Sequence, residues 1–280
     1  VEELLQHKPS QKVLMEKVRN NQFDNLARSL DQLAWSRIKE QTLNGASSWM
    51  QPTFVHGQPA ISAEAFPLLI VRHLGGEFKA STSLSCPRSS VVQFGNRVAC
   101  HEQVDPKLVH VTSSCKALLT ERHKTLATAL QRTCNEAGFA VWTEVQCIPG
   151  SRNIPADLYV PRAGPDARPV AVDVAVVTPV PSWKPKPGHT LRDTESLKMG
   201  KYANDLATVP HLVFIPFVMS CYGSLGQKAR EFVSIVAAGL TQKWLWSAME
   251  AEEYVRRVIQ AAVMSFLGDQ MMKTLKPNAP

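Results

Sequence analysis

A chain of 280 residues holds one large domain or two modest ones, and 44% apolar with 20% charged residues is ordinary globular composition that allows a packed core. Its 31 Lys and Arg exceed 24 Asp and Glu, and the formal charge of +7 leans towards a polyanionic partner, because cations that neutralise phosphates release counterions. No apolar run approaches the roughly 18 residues of a membrane span and the start, VEELLQHKPSQK, lacks the charged-then-apolar order of a secretory signal, so an intracellular protein without a membrane partner is expected.

The first residue is Val rather than Met, which suggests a fragment of something longer. Val13, Leu14, Val18, Phe23, Leu26, Leu30, Leu33 and Ile38 recur at intervals near three and four, which predicts a helix from about Ser10 to Leu43 with Gly45 as its stop. After a loop with Pro52, Gly57 and Pro59, Ser62 can cap a short helix, Ala63 to Leu74, ended by Gly75 and Gly76. Residues 1–76 thus read as a helical linker region. From Glu77 to Cys115 periodicity is lost and Ser, Pro and Cys abound, so the segment cannot build its own core. Six cysteines are too sparse for a disulfide scaffold, yet Cys86, Cys100 and Cys115 crowd here beside His101 and His110. A bound metal would supply the missing staple. Cys134, Cys147 and Cys221 sit alone in apolar segments and read as small buried hydrophobes.

From Ala117 to Ala137 the pattern is helical again, with Leu118, Leu119, Leu126, Ala129, Leu130 and Cys134 on one side and Gly138 as the stop. Then the period changes to that of strands: Phe139 to Ile148, Ala156 to Val160, Val170 to Val177 and Leu212 to Val218. Leu191 to Leu206 and Gly226 to Leu240 read as helices. The order implies an α/β core over residues 117–240, a mixed sheet flanked by helices. Residues 241–280 read as one or two amphipathic helices carrying Trp244, Trp246, Tyr254, Val258, Met264 and Phe266, which either dock on the core or bind a partner.

The strand VAVDVAVV is apolar on both faces except for Asp173, and an isolated carboxylate there costs several kcal/mol unless a cation compensates it. Asp157, on the preceding short strand, and Asp173 lie symmetrically about Pro165 in a turn rich in breakers: Pro161, Gly164, Pro165 and Asp166. A hairpin centred there sets the two aspartates opposite each other, with β-carbons about 5 Å apart. Carboxylates so close share a proton or a divalent cation, and Mg²⁺ typically takes one or two carboxylates plus phosphate oxygens and water. That outlines a phosphodiester-hydrolysis site. Glu144, in the neighbouring strand, is a candidate third acid. In the following helix Lys198, Lys201, Tyr202 and Asp205 share one face, and a lysine presented to the phosphate can orient water and stabilise developing charge.

Several stretches together resemble one family, the restriction-like endonuclease region of site-specific non-LTR retrotransposon proteins. The matching pieces are GASSWM (Gly45 to Met50), SAEAFPLLIVRHLGG, the Cys/His stretch ending HVTSSC, the ERHKTL helix, and the string TEVQ, IPADLYV, VAVDVAVVTP, LKMGKY and FIPFVMSCYG. They run from about Gly45 to about Gly239. The resemblance implies a PD-(D/E)XK-type core in which Asp157 and Asp173 hold catalytic Mg²⁺ (or Mn²⁺) and Lys198, first lysine of a K-x-x-K-Y pattern, is the catalytic lysine. The usual core has its lysine two residues after the second acid, where this chain has Ala175. The family pattern places it on the following helix. Glu144 matches an acidic position of the family, and Arg122 and His123 match an Arg-His dipeptide expected at the DNA backbone.

The resemblance also implies a zinc knuckle over residues 77–116. Cys100, His110 and Cys115 fit its last three Zn²⁺ ligands, whereas Arg97 stands where the first Cys would be. Cys86 can supply that ligand across a longer loop, while adjacent His101 would strain a tetrahedron. The implied activity is nicking of double-stranded target DNA in the nucleus, leaving an end that an upstream reverse transcriptase domain extends on the element RNA. The alternatives are a catalytically inactive nuclease-fold DNA-binding module and a cellular repair or junction-resolving nuclease.

Overall fold

The apolar runs beyond Gly138 form one sheet whose central strands are covered on both faces. The computed structural model describes residues 46–50, 61–73, 77–78, 85–86, 89–91, 97–100, 102–151, 156–178 and 189–275, with residues 25 and 28 besides. The helix expected from Ser10 to Leu43 lies outside them but for Asn25 and Arg28, both helical and exposed, and the loop with Pro52, Gly57 and Pro59 lies outside them entirely. In chain order come α1 (Ala65–His73), β1 (Ser89–Val91), β2 (Arg97–Ala99), α2 (Lys116–Glu136), β3 (Trp142–Val145) and β4 (Ala156–Val160). They are followed by β5 (Val170–Val177), α3 (His189–Ala207), β6 (Val213–Ser220), α4 (Gln227–Trp244) and α5 (Ala248–Leu275).

The sheet order is β3-β4-β5-β6, antiparallel up to β5 and parallel between β5 and β6. Parallel neighbours need a crossover, and α3 supplies it. Strand β5 reads as unbroken apolar sequence because both of its faces are packed. On one face Val172 and Val174 join Ile215, Phe217 and Phe232 of α4 in the main core, to which α2 adds Leu126, Leu130 and Cys134. On the other, Ala171 and Phe214 meet Tyr202 of α3 in a smaller cluster. The protein is therefore a mixed α/β fold with a four-stranded mixed sheet and flanking helices.

Local chemistry sets several boundaries. Ser62 caps α1, its hydroxyl accepting the Ala65 N–H at 3.1 Å. Among the described residues the C-terminal segment forms the single long helix α5, which starts shortly after Leu245 adopts a left-handed backbone (φ 58) that closes α4. Helix α5 buries Val258, Ile259, Val263, Leu267 and Met271 in the main core, so the C-terminal segment docks on the fold. Strand β3 is shorter than the apolar run around it, and within it Glu144 takes a left-handed backbone (φ 52) and its partner position in the ladder is skipped.

Helix α4 lacks a capping side chain of its own at Gly226. Glu195, buried on α3, takes that role: its Oε1 accepts the Lys228 N–H at 2.8 Å, and the Gln227 and Ala229 N–H groups also point to it. Burial pushes the Glu195 carboxyl above its usual range, and the three N–H groups oppose that shift. A Cβ at Gly226 would meet the Glu195 carboxylate, so a larger residue there would have to displace the cap. Glu195→Ala is expected to cost about 2 kcal/mol, the loss of a charged cap at a helix N-terminus, read as a lower urea midpoint at unchanged slope.

Candidate active site and metal centre

The hairpin β4–β5 pairs Leu158 with Val172, Tyr159 with Ala171 and Val160 with Val170, the register symmetric about Pro165 that the sequence predicts. The ladder ends at Leu158 and Val172, and Asp157 and Asp173 are the next residues on the two strands, at the open end of the hairpin. Asp157 Oδ2 accepts the Val174 N–H at 2.6 Å and lies 3.0 Å from His123 Nε2, brought from α2. Asp173 Oδ1 accepts a hydrogen bond from Lys198 Nζ at 2.7 Å, and the same ammonium lies 3.4 Å from the Val174 carbonyl. The hairpin and two helices thus set two ionic pairs beside each other, His123 with Asp157 and Lys198 with Asp173.

The charges there are set by burial and by each other. Asp173 is 9% exposed, and burial raises its carboxyl above the usual range although Lys198 pulls it down and Asp157 pushes it further up. For Asp157 burial works in the same direction, but the His123 hydrogen bond and the Val174 N–H outweigh it and hold the group below its usual range. The hydrogen bond to Asp157 raises His123 in turn, against the effect of burial. Among the described residues, Oδ1 of Asp157 and Oδ2 of Asp173 make no hydrogen bond. These oxygens are the ones left for a ligand.

The other expected residues fall differently. Lys201 donates to its neighbour, Tyr202 Oη, at 2.8 Å, its ammonium lies 4.6 Å from that ring's centre, and it acts on the two aspartates through its charge and not through a hydrogen bond. Tyr202 itself is buried against Phe214, and Asp205 accepts from Ser151 Oγ at 2.7 Å, so the helical face read as a unit is divided among three tasks. Glu144 is exposed on β3, across the sheet from Asp157, and is not drawn with the two aspartates into a cluster of three ligands. Arg122, expected at a DNA backbone, is only 3% exposed. Its guanidinium donates to the Thr112 carbonyl at 2.8 Å, because this position of α2 faces the interior with Leu118 and Leu126. His123, next along the helix, faces the aspartates instead.

The second site is the Cys/His segment. Sγ of Cys86, Cys100 and Cys115 and one ring nitrogen of His110 lie within 4.8 Å of one another, the only such group of three or more ligand-type side chains among the described residues. Cys86 precedes the β1–β2 hairpin, Cys100 follows it, and a π-helical turn, His110–Ser114, carries His110 and leads into Cys115 at the start of α2. His110 Nε2 faces Cys100 Sγ at 3.3 Å while Nδ1 lies 2.9 Å from Glu102 Oε2, so the ring presents one nitrogen to the cluster and anchors the other. Three thiols and an imidazole in this arrangement can bind a metal ion such as zinc.

Three features here escape a reading of ligand spacing. Glu102 orients His110, and a carboxylate in that position commonly tunes a metal-bound imidazole. Asp105 accepts the N–H groups of Lys107, Val109 and His110 and so shapes the turn that presents the ligand. Arg72, buried on α1, donates to Thr112 Oγ1 and to the Cys221 carbonyl, both at 3.1 Å, and to Cys221 Sγ at 3.2 Å. Cys221 is therefore a hydrogen-bond partner as well as a buried hydrophobe. With Arg122 this network ties the Cys/His segment to the main fold. Arg72 was detectable, lying three residues after Leu69 on the buried face of an apolar helix. Glu102→Gln is expected to weaken zinc affinity about tenfold, measured by competition with a chromogenic chelator, while leaving the folded metal-loaded protein intact.

The sequence matches no protein-family model and no curated protein.

Proposed function

We propose that the chain is a metal-dependent DNA endonuclease with a PD-(D/E)XK-type core, which nicks target DNA so that reverse transcription can start from the new end during retrotransposon integration. The observation that carries this is the contact of Lys198 Nζ with the Asp173 carboxylate, 2.7 Å long, at the open end of the hairpin whose other strand carries Asp157. The lysine and the two acids come from three separate elements, and the lysine reaches the second acid directly. The resemblance of the sequence to the restriction-like endonuclease region of non-LTR elements supports the same activity. A nuclear location, double-stranded DNA as substrate, and the element RNA and a reverse transcriptase domain as partners follow from that resemblance alone.

The donor set suits Mg²⁺ or Mn²⁺, since each aspartate keeps one oxygen free of protein hydrogen bonds and hard oxygen ligands are what these ions take. A divalent cation there supplies polarisation of the scissile phosphate and acidification of water. Lys198, already held at the carboxylate, contributes a fixed positive charge where the phosphorane gathers negative charge, and it needs no reorganisation to do so. His123 keeps Asp157 ionised and aimed. The Cys/His cluster is assigned to one structural Zn²⁺, because four closed ligands leave no position for substrate.

Supercoiled plasmid incubated with the protein is expected to become nicked circles when Mg²⁺ is present and to stay supercoiled in EDTA. Binding without nicking under both conditions would replace the enzyme with a DNA-binding module of the same fold.

A further inference from the structure

Beside the aspartates the sheet carries an aromatic feature that phosphodiester hydrolysis does not use. Trp142 on β3 and Tyr159 on β4 are partners across the ladder, and their rings stack 5.5 Å apart at 20°. Tyr159 is half-buried against Ala156, Ala171 and Phe214, which fixes the lower ring. Trp142 stays 55% exposed on the edge strand, an expensive placement for an indole that hides only one face on its partner. The pair is thus a rigid stack with its outer side turned to solvent.

Position along the strands identifies what could use it. Tyr159 is two residues from Asp157 and pairs with Ala171, itself two residues from Asp173, so the stack lies on the sheet face that carries the two aspartates. Two residues of strand span about 6.5 Å, which puts the stack within reach of the nucleotide next to a phosphate held at Asp157 and Asp173. A base inside a duplex already has both faces stacked on its neighbours. Only a base splayed from the helix, or one in a single-stranded overhang, offers a free face to an indole.

We propose that Trp142, backed by Tyr159, is a stacking platform for an unpaired base adjacent to the scissile phosphate, so that the preferred substrate is DNA that is open or forked at the cleavage point rather than continuous duplex. This rests on the nuclease assignment above. Every base has a stacking face, so the platform selects strand separation and not sequence.

The test is read as binding in EDTA, which keeps it apart from catalysis. A forked duplex with 2-aminopurine at the first unpaired position and a blunt duplex of the same sequence are titrated with the parent protein, Trp142→Ala and Trp142→Phe. The parent is expected to bind the fork about tenfold tighter than the blunt duplex and to quench the 2-aminopurine, with Trp142→Phe close behind. Trp142→Ala is expected to lose both effects while the protein stays folded, its melting temperature lowered by only a few degrees for the lost stack on Tyr159. Equal fork preference in all three proteins overturns the platform, as does a parent that binds no forked DNA. So does a parent dimer that Trp142→Ala dissolves without changing fork preference, since a second copy would then cover the edge. If fork preference depends on Trp142 but Mg²⁺ elicits no nicking, the platform stands and the nuclease assignment fails; if nicking occurs without any role for Trp142, the reverse holds.

Discussion

Lys198→Ala is expected to slow plasmid nicking by at least about a hundredfold while changing DNA affinity little, because one preorganised donor at a developing negative charge is worth that much in rate. Lys201→Ala is expected to do the opposite: nicking persists, affinity falls, and the logarithmic salt dependence of binding flattens by about one phosphate contact. The geometry separates the two. Lys198 is held on Asp173 and on the Val174 carbonyl, whereas the exposed Lys201 donates to Tyr202 Oη, a hydrogen bond that keeps its ammonium above the usual lysine range. Single-turnover rates and salt titrations on both variants decide the matter. If Lys198→Ala nicks at the parent rate and Lys201→Ala does not, the lysines exchange roles.

Removing the metal from the Cys/His cluster is expected to disrupt the fold well beyond the knuckle. Structural zinc in small Cys/His sites contributes on the order of 10 kcal/mol of binding free energy at neutral pH, most of which is folding free energy of the segment that holds it. Here that segment is not isolated. Thr112, between His110 and Cys115, accepts from both buried arginines, and Phe266 of α5 packs against the cysteine cluster as well as the main core. Losing the turn would take from each buried guanidinium one of its acceptors, Thr112 Oγ1 from Arg72 and the Thr112 carbonyl from Arg122, at a cost of about 1–3 kcal/mol each. Elemental analysis of protein purified without chelator is expected to give one zinc per chain, and chelation or Cys115→Ser to lower the melting temperature by about 10 °C or more. Protein free of zinc that melts at the same temperature as the loaded form would contradict the assignment.

The readable parts of this site were those encoded by local pattern. Asp173 stands out because it is the lone charge in an apolar strand, and Asp157 because it mirrors Asp173 about a turn of breakers; the observed register follows the same symmetry. The cluster of Cys86, Cys100, His110 and Cys115 is announced by residue type and crowding in a stretch with no core of its own. Features that depend on distant partners were not legible. Arg122 and His123 are neighbours in sequence, but helix geometry turns one inward to Thr112 and the other to Asp157, and which side is inward depends on where α2 packs. Glu195 looks like any helical glutamate until α4 starts beside it. Glu144 sits in a sequence that reads as continuous strand, yet its backbone is left-handed, a conformation that costs a non-glycine residue about 1–3 kcal/mol and that composition does not reveal.

The most direct measurement is plasmid nicking in Mg²⁺ by the parent protein beside Asp157→Asn and Asp173→Asn, each nearly isosteric and each removing one ionisable oxygen of the pair. If the aspartates form the hydrolytic centre, the parent nicks and both variants lose activity by about a hundredfold or more while remaining folded and able to bind DNA. Nicking at the parent rate by either variant, with its fold and DNA affinity intact, would contradict a catalytic centre built on Asp157 and Asp173.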